Sequence, residues 1–316
     1  MTRPDFFMVG APRCGTTWLY QNLRDHPGVF MPRYKEMDLF CPDVRYRKPA
    51  WRRTTPDRST FERRLADAPT GAVIGSACTR DLFSAAAPGL IHELNPRASI
   101  IVQLRDPVEA LYSLWSLRRT ADDERRSLAR ALTDEDAEVA TVASATVASA
   151  STAATAEWPR LFADWYTRLY RYGDQLPRYL DRFGRSKVHV VVFEDMVRDP
   201  ARAYAGVLEH LGLVPQPPVR ETAANPNAVV RSRTAVRLLF AGPTIAAAKR
   251  VVPASLHGRA ARFADTLNER LRKPTARVPM DPELRSELVE RFRPDVRRLS
   301  DLLGRDLEAL WFGSGV

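Results

Sequence analysis

Cysteine is scarce in this chain: three residues, Cys14, Cys41 and Cys78, among 316. The set is odd and has no C-x-x-C spacing, which argues against a disulfide framework or a zinc site and for a reducing compartment. No apolar run approaches the roughly 20 residues of a membrane span. The amino end, MTRPDFFMVGAPR, returns to charge too soon for a signal peptide. These absences lead to the expectation of a soluble, cytoplasmic protein with no metal. No linker forces a split, so residues 1–316 read as one domain, although at roughly 150 residues per domain the length also allows two modest ones.

Charge of one sign is what the chain has in excess. Forty-eight Lys and Arg face 38 Asp and Glu, a formal net charge of +10. A surface of this kind attracts nucleotides, sulfated or phosphorylated sugars, nucleic acid or anionic lipid. Arginine and alanine abundance is equally explained by genomic base composition. A basic nucleic-acid-binding protein remains an alternative, yet the basic residues are scattered rather than striped and no recognition motif accompanies them.

The stretch FMVGAPRCGTTWLY, residues 7–20, nearly spells a nucleotide-binding loop. Gly10 and Gly15 stand where G-x-x-x-x-G-K-[ST] places its glycines and Thr17 where it places its hydroxyl. Thr16, however, replaces the lysine, and a cation, Arg13, lies inside the loop. An apolar run precedes it and TTWLYQNLRDHPG continues at helical spacing until His-Pro-Gly stops it. Strand, glycine loop and helix in that order aim backbone N–H groups at an anion.

Further apolar runs at 72–77, 99–104 and 188–193 are rich in β-branched residues, with helical patterns between or after them. The alternation predicts an α/β fold, a mostly parallel sheet flanked by helices. Residues 137–157 form a low-complexity insert of small residues, either an Ala-rich helix or an excursion. The aromatics of residues 158–183 recur at helical spacing and read as core. Asp281-Pro282 opens a closing amphipathic helix, with Asp281 as its N-cap.

A P-loop kinase would need a lysine on the β/γ-phosphates and a strand-end carboxylate on magnesium. Here the strand IIVQL ends in Arg105, and Asp106, followed by Pro107 and Glu109, makes a capping box for the next helix. A nucleotide kinase is therefore the weaker enzyme reading. Ser113 falls two turns into that helix, about 10 Å along its axis. Arg105 and Ser113 can clamp one phosphate between a fork of donors and a hydroxyl.

The two motifs GAPRCGTTWL and LRDPVEALYS, in that order, resemble the phosphosulfate loop and the 3′-phosphate motif of sulfotransferases that use 3′-phosphoadenosine 5′-phosphosulfate (PAPS). HPGVFMPRYKEMDLF is similar to the Lys-Glu segment of the heparan-sulfate-type branch. VVVFEDMVRDP and LLGRDLEALW resemble later elements of bacterial members. The resemblance implies a P-loop NTPase-like core, PAPS as co-substrate without a metal, and a carbohydrate or small-molecule acceptor carrying a hydroxyl or amine. It leaves the acceptor's identity and the oligomeric state open.

Carried over residue by residue, the resemblance makes Arg13, Cys14, Gly15, Thr16 and Thr17 the phosphosulfate cradle and gives the 3′-phosphate to Arg105 and Ser113. Glu36 matches the family's candidate general base and Lys35 its cationic neighbour. Arg231 and Arg233 fall where a basic loop closes over the bisphosphate. There are departures. Many members have lysine in place of Arg13, Ser76 and Ala77 replace a Glu-Lys pair of heparan-type enzymes, and Asp38 replaces a histidine and competes with Glu36 as base. His26 reads as a helix stop. Cys14 has two readings, a thiol ionised by nearby amides or a small filler, and filler is the stronger.

Overall fold

A computed structural model describes residues 3–33, 35–36, 38–45, 58–120, 124–149, 161–162, 165–220, 228–230, 272–274 and 278–313. The backbone groups into two compact units, one of residues 1–114, 126–224 and 280–316, the other of 115–125 and 225–279. All that follows concerns the first, apart from residues 115–120, which belong to a helix that begins in it.

The apolar run at the amino end becomes β1, Phe6–Gly10, buried at every residue. Burial on both faces is what a run of consecutive apolar residues requires of a central parallel strand. The strand β2 (Val29–Phe30), β4 (Val73–Ala77), β5 (Ser99–Leu104) and β7 (Val188–Val192) complete a sheet ordered β2-β4-β1-β5-β7, in which every pair is parallel. The short strands β3 (Val44–Arg45) and β6 (Leu161–Phe162) pair separately. The predicted strands at 72–77, 99–104 and 188–193 thus sit within a residue of their expected ends.

Parallel strands need crossovers, and helices supply them. These are α1 (Thr16–Asp25), α2 (Arg58–Leu65), α3 (Ala87–Leu94), α4 (Pro107–Thr120), α5 (Leu128–Ser149), α6 (Tyr172–Phe183), α7 (Phe193–Arg198) and α8 (Pro200–His210). Trp18, Leu19 and Leu23 of α1 pack with Tyr204, Val207 and Leu208 of α8 over Met8 and Ile101 of the sheet. Each such fully buried side chain is worth about 1.5–3 kcal/mol. His26 ends α1 as expected: its Nδ1 accepts from the Gly28 amide at 3.0 Å.

The low-complexity stretch begins inside α5, which runs to Ser149; residues 150–157 lie outside the described residues. Residues 165–183 are less helical than their spacing predicts, because the buried Glu135 of α5 takes the amides of Tyr166, Thr167 and Arg168 at 2.7, 3.0 and 2.8 Å and pins a turn there. Their aromatics are core, as predicted: Tyr166, Tyr170, Tyr172 and Tyr179 are fully buried. The closing helix α9 spans Pro282–Leu303, and Asp281 caps it through the amides of Glu283 and Leu284. A last helix, α10 (Leu307–Phe312), follows. Among the described residues no helix is long and apolar enough to cross a membrane.

Candidate active site

The loop between β1 and α1 is held open by backbone conformations that few side chains tolerate. Gly15, the residue before α1, has φ 83°, and a Cβ there would approach Met196 Cε to 2.5 Å. Arg13 adopts the left-handed region as well, with φ 64°. Outliers of this kind cost about 1–3 kcal/mol each and cluster at functional sites. Among the described residues, no hydrogen bond takes the amides of Cys14, Gly15, Thr16 or Thr17. Free N–H groups at a helix start form an anion seat.

Cations gather at this seat from three directions. Lys35 Nζ donates to Thr16 Oγ1 at 2.9 Å and to Thr17 Oγ1 at 3.5 Å. Arg13 Nε donates to Ser113 Oγ at 2.9 Å. Arg105, at the end of β5, donates to the Arg13 carbonyl at 3.4 Å and lies over the Phe193 ring, 4.5 Å from its centroid. Arg13, Arg105 and Ser113 therefore belong to one cluster, with Arg13 standing between the two residues of the expected clamp. The lysine missing from the loop is replaced from outside it, by a side chain 19 residues away from Thr16.

Asp106 does what a cap does: its Oδ1 accepts from the amides of Val108 and Glu109 at 2.8 and 3.3 Å. The expected capping box is only half formed. Glu109 turns to Arg105, 3.7 Å away. The Asp106 amide goes instead to Glu194 Oε1 at 3.2 Å, and Glu194 Oε2 in turn accepts from the indole of Trp311 in α10 at 2.9 Å. Burial pushes the Asp106 carboxyl up to about 6.

Glu36 is docked at the end of β4 by its own amide, which donates to the Ala77 carbonyl at 2.9 Å. Its carboxylate accepts from the Thr79 amide at 2.8 Å and the Thr79 hydroxyl at 2.9 Å, with Arg80 and Lys35 at 3.4 and 3.6 Å. Burial opposes its ionisation, but the two cations and the Thr79 bonds outweigh that and hold the carboxyl below the usual glutamate range. Burial likewise pulls Lys35 below the usual lysine range, against the pull of Glu36. Asp38 is engaged by Arg80 Nε at 2.5 Å. Glu36 and Asp38 have φ 63° and 53°; with Arg13, they are the non-glycine residues at positive φ among those described.

Cys14 is wholly buried against Tyr172, its Sγ 3.4 Å from the phenol oxygen, and burial pushes the thiol up to about 12. It is a filler of the loop, held protonated. Arg231 and Arg233 lie outside the described residues.

A family model for the sulfotransferase domain matches residues 3–225, from before β1 to beyond α8. The chain belongs to the sulfotransferase domain family. A crystal structure of a sulfotransferase from Alicyclobacillus acidocaldarius is similar to it with a TM-score of 0.68 and 25% identity, over 98% of this chain and 99% of that one. The fold is the P-loop-like sulfotransferase fold. Carbohydrate sulfotransferase 15 from Mus musculus and from Homo sapiens are each 29% identical over 171 residues, which cover 41% of this chain. The matched region spans only 30% of the length of those curated relatives.

Sequence reasoning missed the partners of the sulfotransferase-family loop rather than the loop itself. Thr79 and Arg80, which hold Glu36, begin one residue after β4, and a polar pair just past a parallel strand's carboxyl end is a legible signal. Glu194 and Trp311 carry no comparable signal, because their pairing spans 117 residues.

Proposed function

We propose that this chain transfers a sulfuryl group from PAPS to a hydroxyl or amine of a carbohydrate or small-molecule acceptor. The observation that carries the reading is the row of unpartnered amides at 14–17, faced by Lys35 and flanked by Arg13, Arg105 and Ser113. Such a row fits an anion with two separated charged ends, one on the helix start and one beside Arg105. PAPS, when bound, supplies the activated sulfuryl group and a bisphosphate leaving group.

In this reading the amides of Cys14, Gly15, Thr16 and Thr17 orient the phosphosulfate end, and Lys35 and Arg13 neutralise charge growing on the bridging oxygen. Arg105 and Ser113 grip the 3′-phosphate. Glu36, ionised and stationed beside Lys35, accepts the proton of the attacking hydroxyl or amine. Its lowered pKa makes it a weak base, so alignment and fixed charge supply most of the rate. The commitment of Asp106 to the α4 cap and of Arg105 to the β5 end argues against a kinase-type metal carboxylate there. Three free thiols support a reducing, cytoplasmic setting. The whole of 1–316 is read as one sulfotransferase domain.

Calorimetric titration with adenosine 3′,5′-bisphosphate, followed by label transfer from PAPS across a panel of sugar, phenol and amine acceptors, tests the proposal. Saturable one-site binding and label on at least one acceptor are expected. Indifference to the bisphosphate would end the reading, as would magnesium-dependent ATP turnover in its place.

A further inference from the structure

The sequence spacing of the cysteines speaks against a metal site, yet the fold draws two of them together across 37 residues. Cys78 is the first residue after β4 and Cys41 sits in the segment that follows Glu36. Both thiols reach the same oxygen: Cys78 Sγ is 3.4 Å and Cys41 Sγ 3.7 Å from Asp38 Oδ1. The three ligand-bearing atoms all lie within 4.8 Å of one another.

Those separations have a meaning. Tetrahedral zinc with bonds of about 2.3 Å to sulfur and 2.0 Å to oxygen holds neighbouring oxygen and sulfur ligands about 3.5 Å apart. The Asp38 to cysteine distances bracket that figure. A fourth candidate stands one turn on. The Asp81 carboxyl interacts with the Cys78 thiol, although it lies outside the group of three atoms within 4.8 Å. Asp81 is 2% exposed, and its Oδ1 finds no hydrogen-bond donor among the described residues. A buried carboxylate oxygen without a partner is costly unless something else occupies it.

We propose that Asp38, Cys41 and Cys78, with Asp81 as the neighbouring candidate for a fourth ligand, form a binding site for one divalent ion of the zinc class, structural in role and separate from the sulfuryl-transfer chemistry. Two thiolates and two carboxylates suit a borderline-soft tetrahedral cation rather than magnesium or calcium. Each thiol releases its proton to solvent as its metal–sulfur bond forms. Arg80 engages Asp38 Oδ1 through both Nε, at 2.5 Å, and a terminal nitrogen, and pairs with Glu36 at 3.4 Å; as the metal takes that oxygen, one of the two Arg80 donors is displaced and the other remains as an outer-sphere tie. The ion would fasten the 38–45 segment to the end of β4, immediately beside the Glu36 carboxylate.

Titration of the reduced full-length protein with Cd2+, read by thiolate-to-metal charge-transfer absorption, tests this, with Zn2+ competing. One equivalent, a two-thiolate signal and displacement by Zn2+ are expected. Cys41→Ser and Cys78→Ser should abolish the signal, and Asp81→Asn should weaken binding on the order of tenfold or more. If the cysteine variants do not fold, mass mapping of alkylated thiols in the wild type decides: Zn2+ should shield Cys41 and Cys78 while leaving Cys14 unaffected. No charge-transfer band at one equivalent, a band that survives the double cysteine variant, or equal shielding of all three thiols would overturn the proposal.

Discussion

The loop at 11–17 and the segment at 35–38 face each other, yet they are built on opposite plans. The loop leaves the amides of 14–17 at a helix start without partners among the described residues, with cations around them. The segment spends nearly everything it has, since Glu36 alone takes an amide, a hydroxyl and two cations. The first surface is stable only at a cost that an anion would relieve. The second is complete without a ligand, which keeps its carboxylate ionised and in place. A donor seat and a proton acceptor need those two different things, and separate mutations should separate them.

The largest effect is expected on the segment side. Glu36→Gln should lower kcat by roughly 10²–10⁴-fold, while calorimetry finds bisphosphate affinity unchanged. Loss of both together would mean that the two regions are one unit. On the loop side, Arg105→Ala should weaken bisphosphate binding by about 10- to 150-fold, the worth of a hydrogen bond to a charged group at 1.5–3 kcal/mol. Ser113→Ala should lose less, and both should retain kcat at saturating donor.

A smaller effect concerns pH. The base role proposed for Glu36 requires its ionised form, so kcat/KM should fall as pH falls through a folded-state value lying below that of an ordinary glutamate. Arg80→Ala removes a cation that holds the carboxyl down, so the acid limb should move to higher pH. A pH–rate profile unmoved by this change would break the link between Arg80 and the base. The stabilisation Glu36 gains from its partners has the same sign: present above the unfolded carboxylate value, lost as pH drops through the folded one. Smallest of all, Asp281→Ala, in neither region, should cost about 1 kcal/mol of stability through the lost cap. Thermal unfolding should register it and donor binding should not.

The legible parts of this molecule were local. β1, its glycine turn and the start of α1 follow from consecutive apolar residues and a Gly whose φ of 83° excludes other side chains. Asp281 and Asp106 read as caps because a cap is decided within four residues. The capping box failed at Glu109 because Arg105 and Glu194, one adjacent and one 88 residues beyond Asp106, competed for its two halves. The helical spacing read over 158–183 holds from Tyr172 as α6 but not at 165–171, for the same reason: Glu135, about 30 residues earlier, claims the amides a helix would use. Lys35 was visible as half of a Lys-Glu pair, but its reach to Thr16 depends on β4 lying beside β1. Long-range pairing of that kind leaves no trace in spacing.

The bond from Trp311 to Glu194 extends the reach of the active site to the far end of the chain. Glu194 steadies the residue next to Arg105, so a protein shortened before α10 should keep its sheet and lose the firmness of its hold on the nucleotide. In the proposed reaction α10 would thus buttress a grip formed two hundred residues earlier.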